Sequence, residues 1–374
     1  MDFRRAVTAV RPADGLAFAA MAVLTLVGLA AIYSVALSQT PADFLSVKKQ
    51  AVALAIGTAC YLFAANANYR LLRGYAVALY GGAMLLLLSV LVLGSTVRGT
   101  TGWFYLGPFS FQPVELVKPV LAVALASYFS RRARRVFAWR ELWESAAIAA
   151  VPVLLVLAQP DLGSAAILMG IWAVMVLFAG IPKRYVVSLL LLLAAASVVA
   201  WHSFLAPYQK ARIMTFVDPA SDPLGQGYNV TQAVIAVGAG GWTGRGLGFG
   251  SQSQLKFLPE SQTDFIFAVV AEELGFVGVS LVLGLWFLLF WRLLMRAGKT
   301  KDGFASYVLV GLGASLLCQT LIHAGMNLGV LPVTGLGLPL VSYGGSSLIF
   351  TLLMLGVAEG ISRASVRSGP AMLD

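Results

Sequence analysis

Charge is scarce in this sequence. Asp, Glu, Lys and Arg together make up 11% of the 374 residues, against 59% hydrophobic ones, and mean hydropathy is +0.85. A soluble domain of this size carries roughly 25% charged residues, so a water-soluble globular domain is excluded. Cysteine is almost missing: Cys60 and Cys318 lie far apart, each inside an apolar run. With no metal-type spacing they read as small core residues and identify no redox compartment. Histidine is as scarce, and His202 and His323 stand singly in apolar runs, where packing is the usual role. No P-loop, HExxH or GxSxG pattern occurs. The glycines of GAGGWTGRGLGFG (238–250) neither follow a strand nor open a Rossmann helix, so nucleotide binding is not expected. No internal repeat stands out.

Long apolar runs are what the sequence does have. Gly15–Ala36 follows Arg4, Arg5 and Arg11 but exceeds the roughly 7–15 residues of a signal-peptide core, and many similar runs follow it. Spans of about 20 apolar residues fall near 14–37, 49–66, 71–93, 113–130, 145–159, 162–181, 185–205, 264–291, 305–327 and 340–362. The loops on one side hold 18 of the 26 Lys and Arg residues and those on the other hold seven, with Lys118 inside a span. The basic-rich side faces the cytoplasm, so the net charge of +10 is topological and predicts no nucleic acid partner. The expected fold is an all-α polytopic membrane protein with ten transmembrane helices and both termini cytoplasmic. One long extracytoplasmic loop (206–263) separates spans 7 and 8, and the whole of 1–374 is read as a single integral membrane domain.

Three outer segments are unusual. STVRGTTGWFYLGPFSFQ (95–112) is rich in aromatics and glycine, which suits an interfacial turn. Loop 206–263 far exceeds the roughly 12–15 residues beyond which loops are usually functional or disordered, and its VTQAVIAVGA stretch suits a short interfacial helix. NLGVLPVTGLGLPLVSYGG (327–345) alternates Gly and Pro with apolar residues. Irregular backbone at membrane depth is tolerated only where it lines a cavity or is buried in protein.

Acids inside apolar helices are costly enough to mark function by default. Asp264 opens the eighth span, where two roles are compatible. Ser261-x-x-Asp264 fits a capping box, and a carboxylate where a membrane helix meets the outer water layer suits a general base. Glu272 and Glu273 lie further along the same helix, about 100° apart in direction, and read as members of a buried polar network. Glu115 and Lys118 sit three residues apart on one helix face and suit an ion pair, either structural or contributing positive charge to a substrate pocket. Asp161 is placed to cap the sixth span. Lys210, Arg212, Arg245 and Lys256 are either solvated loop charges or, grouped opposite Asp264, a cradle for phosphate or pyrophosphate.

Several of these pieces occur together as long motifs in a fixed order: QPVELVKP (112–119), QPDLGS (159–164), RIMTFVDP (212–219), GGWTGRGLG (240–248), FLPESQTDFIFAVVAEELGFVG (257–278) and GLPLVSYGGSS (337–347). On them the chain resembles the SEDS family (shape, elongation, division and sporulation), ten-span peptidoglycan glycosyltransferases. The form of GSQSQLKFLPE (250–260) is similar to that of the elongation member rather than the division member. The resemblance implies polymerisation of lipid II, a disaccharide–pentapeptide on undecaprenyl pyrophosphate, at the outer face of the bacterial cytoplasmic (inner) membrane. It also implies a class B penicillin-binding protein as crosslinking partner. The family's essential acid falls on Asp264 and its ion pair on Glu115 and Lys118. Trp103 corresponds to the tryptophan of its aromatic outer loop, and Ser342 and Tyr343 of the last motif join the supporting or substrate-binding residues. No cofactor is implied with certainty, and a divalent cation (Mg2+ or Mn2+) stays open. A lipid flippase, a division polymerase and a non-catalytic scaffold are the competing readings.

Overall fold

The structure, a computed structural model, describes residues 13–38, 42–97, 99–107, 109–132, 138–203, 207–222 and 225–367. A helix occurs in each of the ten intervals expected to span: α1 (Gly15–Leu37), α2 (Leu45–Asn66), α3 (Arg70–Leu93), α4 (Pro113–Ser130), α5 (Trp139–Ala158), α6 (Leu162–Phe178), α7 (Lys183–Ser203), α11 (Ile266–Lys299), α12 (Gly303–Asn327) and α13 (Gly345–Arg367). Among the described residues seven of them, α1, α3, α4, α5, α11, α12 and α13, are long and apolar enough to cross a membrane. Large apolar side chains such as Val92, Val77 and Phe63 are more than 70% exposed on the outside of the bundle. Water would penalise such a surface at about 25 cal/mol per Å², whereas acyl chains would not. The protein is an integral membrane protein.

At the centre α12 packs on α4, α6 and α11, while α13 lies along α2. Gly28 lets α1 approach the backbone of Leu340 and Val341, which a Cβ would meet at 2.8 Å and 2.6 Å respectively. At the other end of α1, Asp14 caps the helix through Ala17 N and pairs with Arg292 (2.6 Å) and Arg296 (3.0 Å) of α11. These links tie α1, α11 and the segment before α13 into one wall.

The segment between α3 and α4 corrects the all-α expectation. It forms a three-stranded antiparallel sheet, β1 (Ser95–Val97), β2 (Thr100–Leu106) and β3 (Phe109–Phe111), with Ser95 opposite Trp103 and Tyr105 opposite Ser110. Two of its strands have only three residues, too few for an alternating pattern to show in sequence. The sheet is tied down by Ser346 Oγ of α13, which donates to Ser110 O at 2.8 Å.

The loop after α7 carries three further helices, α8 (Pro207–Val217), α9 (Gln226–Ala239) and the single turn α10 (Ser251–Gln254). The expected short helix around VTQAVIAVGA is α9. The glycine-rich stretch that follows inserts into a break in α11. At Gly275 the backbone has φ 65° and ψ −164°, and the helical bonds lost there are replaced from the loop. Arg245 N donates to Glu272 O, Gly246 N to Glu273 O, Phe276 N to Gly241 O and Val277 N to Trp242 O, all at 2.9–3.1 Å. Below the break Glu272 accepts from Gln252 N and Ser253 N, and Glu273 from Ser34 Oγ. Both carboxylates are buried and belong to the polar network expected of them.

Candidate active site

Four chain connections converge on one cavity of about 370 Å³. These are the sheet and the start of α4, the turn between α5 and α6, the residues just before α11, and the irregular segment between α12 and α13. Trp103, Glu115, Asp161, Asp264, Ser342 and Tyr343 all line it. A cavity of this size suits a small-molecule-like group.

The irregular segment is held open by side chains that satisfy its backbone, as membrane depth requires. Gln319 Nε2 donates to Gly337 O at 2.9 Å, and His323 Nδ1 lies 2.7 Å from Leu336 O. Ser342 Oγ accepts from Leu338 N and donates to Thr263 O, both at 2.7 Å. Buried Gln50 of α2 donates to Ser342 O and accepts from Gly344 N, both at 3.1 Å. Tyr343 N donates to Gln262 O. The segment and the residues before α11 are thereby cross-linked on either side of Asp264.

Asp264 is half-buried on the cavity wall. The expected capping box does not form: α11 starts at Ile266, with Phe265 at its N-cap and no side-chain capping bond there. The Asp264 carbonyl accepts from Asn327 Nδ2 at 3.0 Å. Opposite the carboxylate stands Gly335 (φ +75°), where a Cβ would lie 3.8 Å from Asp264 Oδ2, so glycine keeps that side narrow but open.

Glu115 and Lys118 form the expected pair, Nζ to Oε1 at 2.8 Å, with Lys118 fully buried and Glu115 nearly so. Lys118 Nζ also donates to Gln319 Oε1 at 2.9 Å. Glu115 reaches the cavity wall whereas Lys118 sits behind it, so its charge acts through Glu115 and Gln319. Asp161 caps α6 as expected, accepting from Ser164 N at 2.9 Å and Ser164 Oγ at 2.6 Å. Burial pushes its carboxyl above the usual carboxylate range, against the Ser164 bonds that lower it.

Of the four loop cations read either as solvated charges or as a cradle opposite Asp264, Lys210, Arg245 and Lys256 do not line the cavity. Lys210 lies on α8 and is not among the cavity-lining residues, Lys256 is exposed, and Arg245 is held to Ala239 O and Ser251 Oγ. The Arg212 side chain lies outside the described residues. Sequence reasoning missed Gln112, Asn229, Glu260, Thr263 and Gly335 on the same wall. Glu260, four residues before Asp264 within FLPESQTDF, was the most findable. Among the described residues no three His, Cys, Asp or Glu side chains form a group able to hold a metal ion.

An acid-lined cavity roofed by broken membrane backbone defines a class of integral membrane protein whose polar chemistry sits at helix ends. A family model described as cell cycle protein, covering FtsW, RodA and SpoVE, matches residues 14–367. The chain belongs to this family. The peptidoglycan glycosyltransferase MrdB of Escherichia coli strain K12 is 38% identical over 309 residues, which cover 82% of this chain and 83% of that protein. A probable peptidoglycan glycosyltransferase FtsW of Xanthomonas oryzae pv. oryzae is 39% identical, covering 92% of this chain and 72% of that protein. The rod shape determining protein RodA of Thermus thermophilus superposes with a TM-score of 0.70 at 33% identity, covering 93% of this chain and 96% of that one. A chain from a solved structure described as the structural coordination of polymerization and crosslinking by a peptidoglycan synthase complex gives 0.79 at 37% identity, covering 94% and 97%.

Proposed function

We propose that this protein is a peptidoglycan glycosyltransferase that polymerises lipid II into glycan strands for cell elongation, with Asp264 as general base. The observation that carries this is the convergence of Asp264, Glu115, Asp161, Trp103, Ser342 and Tyr343 on one cavity, in a chain whose relatives bear that enzymatic name. The helices α2, α6 and α7 complete a ten-span reading. The Lys and Arg bias then puts both termini in the cytoplasm and all four converging connections at the outer face of the inner membrane. Sugars and pyrophosphate stay in water there, while the polyprenyl tail runs among the helices.

The reaction is a single inverting displacement. The C4 hydroxyl of the acceptor N-acetylglucosamine attacks C1 of the donor N-acetylmuramic acid. The new C1–O bond forms as the bond from C1 to the pyrophosphate oxygen breaks, and undecaprenyl pyrophosphate departs with the electron pair. An alcohol is a weak nucleophile near neutral pH, so a carboxylate in hydrogen-bond reach takes the hydroxyl proton as attack proceeds. Asp264 supplies that carboxylate. Pyrophosphate leaves without a proton if positive potential meets its charge. Arg212 is one source. The start of α13 is another, since Gly344 and Ser347 line the cavity and a helix N-terminus favours phosphate. Lys118 and Gln319 hold the wall behind Glu115.

A class B penicillin-binding protein is the proposed partner, by analogy with the crosslinking named for the synthase complex. Relatives named for the division and elongation enzymes occur at similar identity, and GSQSQLKFLPE supports the elongation role. The test is incubation of the purified protein in detergent with lipid II, read on a glycan-strand gel. Polymer is expected. A flippase or scaffold would give none, because polymer formation needs chemistry and no second compartment.

A further inference from the structure

We propose that Asn327 is the positioning residue of the active site: it caps α11 from the neighbouring helix and thereby fixes the backbone that carries Asp264. This rests on the reading of Asp264 as general base.

Asn327 is the last residue of α12 and is fully buried. Its Nδ2 donates to Asp264 O at 3.0 Å and to His323 O at 2.8 Å, and its Oδ1 accepts from Ala268 N at 3.2 Å. Ala268 is the third residue of α11. Its N–H is one of the four that a helix start leaves unsatisfied, and the one an N-cap side chain normally accepts from. Phe265 at the N-cap has no side chain able to do so. The capping box read from sequence at Ser261 and Asp264 would have left this N–H to other groups. The structure assigns it to an amide 63 residues further along, on a different helix.

The consequence is chemical. The amide that accepts from Ala268 N also pins the Asp264 carbonyl, and the Asp264 side chain lies on the cavity wall. Both amide protons and the amide oxygen of Asn327 are used, so the side chain has one orientation. A catalytic group displaced by about 1 Å costs on the order of 100-fold in rate. Asn327 acts through Asp264 and touches no reacting atom.

Asn327→Asp keeps the shape and the oxygen facing Ala268 N but removes both donated bonds, since a carboxylate is acceptor only. Asn327→Ala removes all three bonds without adding charge. In the purified full-length protein, either variant that elutes as folded is expected to lose roughly 10- to 100-fold in kcat for lipid II polymerisation, with KM within about twofold. A folded variant with wild-type kcat overturns the proposal. So does a kcat loss matched by an equal rise in KM, or failure of both variants to fold, since either marks a general structural role. Asp264→Asn is measured beside them. If it stays active, the base reading fails whatever Asn327 does. If it is inactive while a folded Asn327 variant is fully active, only the positioning proposal fails.

Discussion

Lys118 Nζ lies 2.8 Å from Glu115 Oε1 in a site with no exposure at the lysine. Breaking a buried ion pair from one side leaves a charge without its partner, at about 3–5 kcal/mol. Lys118→Met is therefore expected to lower the thermal midpoint strongly, as read by thermal-shift measurement in detergent, and to reduce polymerisation. The double substitution Glu115→Gln with Lys118→Met removes both charges and is expected to recover most of the stability. If activity recovers equally, the pair serves folding alone.

Ser342 Oγ joins the two sides of the cavity by accepting from Leu338 N and donating to Thr263 O. Ser342→Ala loses both bonds, worth about 1–3 kcal/mol together. Because Thr263 precedes Asp264 directly, a several-fold fall in turnover is expected along with a modest fall in thermal midpoint.

Gly275 adopts a backbone conformation nearly exclusive to glycine, and a Cβ there would fall 2.2 Å from Gly244 N. Strain of roughly 1–3 kcal/mol would add to the loss of the loop bonds that replace the helix ladder. Gly275→Ala is expected to reduce the yield of monodisperse protein by size-exclusion chromatography. Gly284→Ala on the same helix, where a Cβ meets nothing within 4 Å, is expected to be tolerated.

What could be read from sequence followed from how local each signal is. The helical intervals showed because acyl chains demand long apolar runs. Glu115 with Lys118 showed because three residues place two side chains on one helix face, and Asp161 showed because its capping partner Ser164 is three residues away. Gln319, which completes the Lys118 network, did not show, since its partner is 201 positions away. Asn327 was hidden for the same reason, since the amide that caps α11 lies on another helix, 59 positions from Ala268. The sheet after α3 escaped because its glycines and aromatics suit a turn equally well. The partners of the loop charges did not show either, since proximity in sequence does not reveal that Arg245 is held by its own loop.

The proton acceptor at the edge of α11 is tested most directly by one rate. Purified Asp264→Asn, matched to the parent protein in elution volume, thermal midpoint and lipid II binding, is expected to form no glycan strands above background. Strand synthesis by that variant at the parent rate would contradict the assignment of Asp264 and the chemistry built on it.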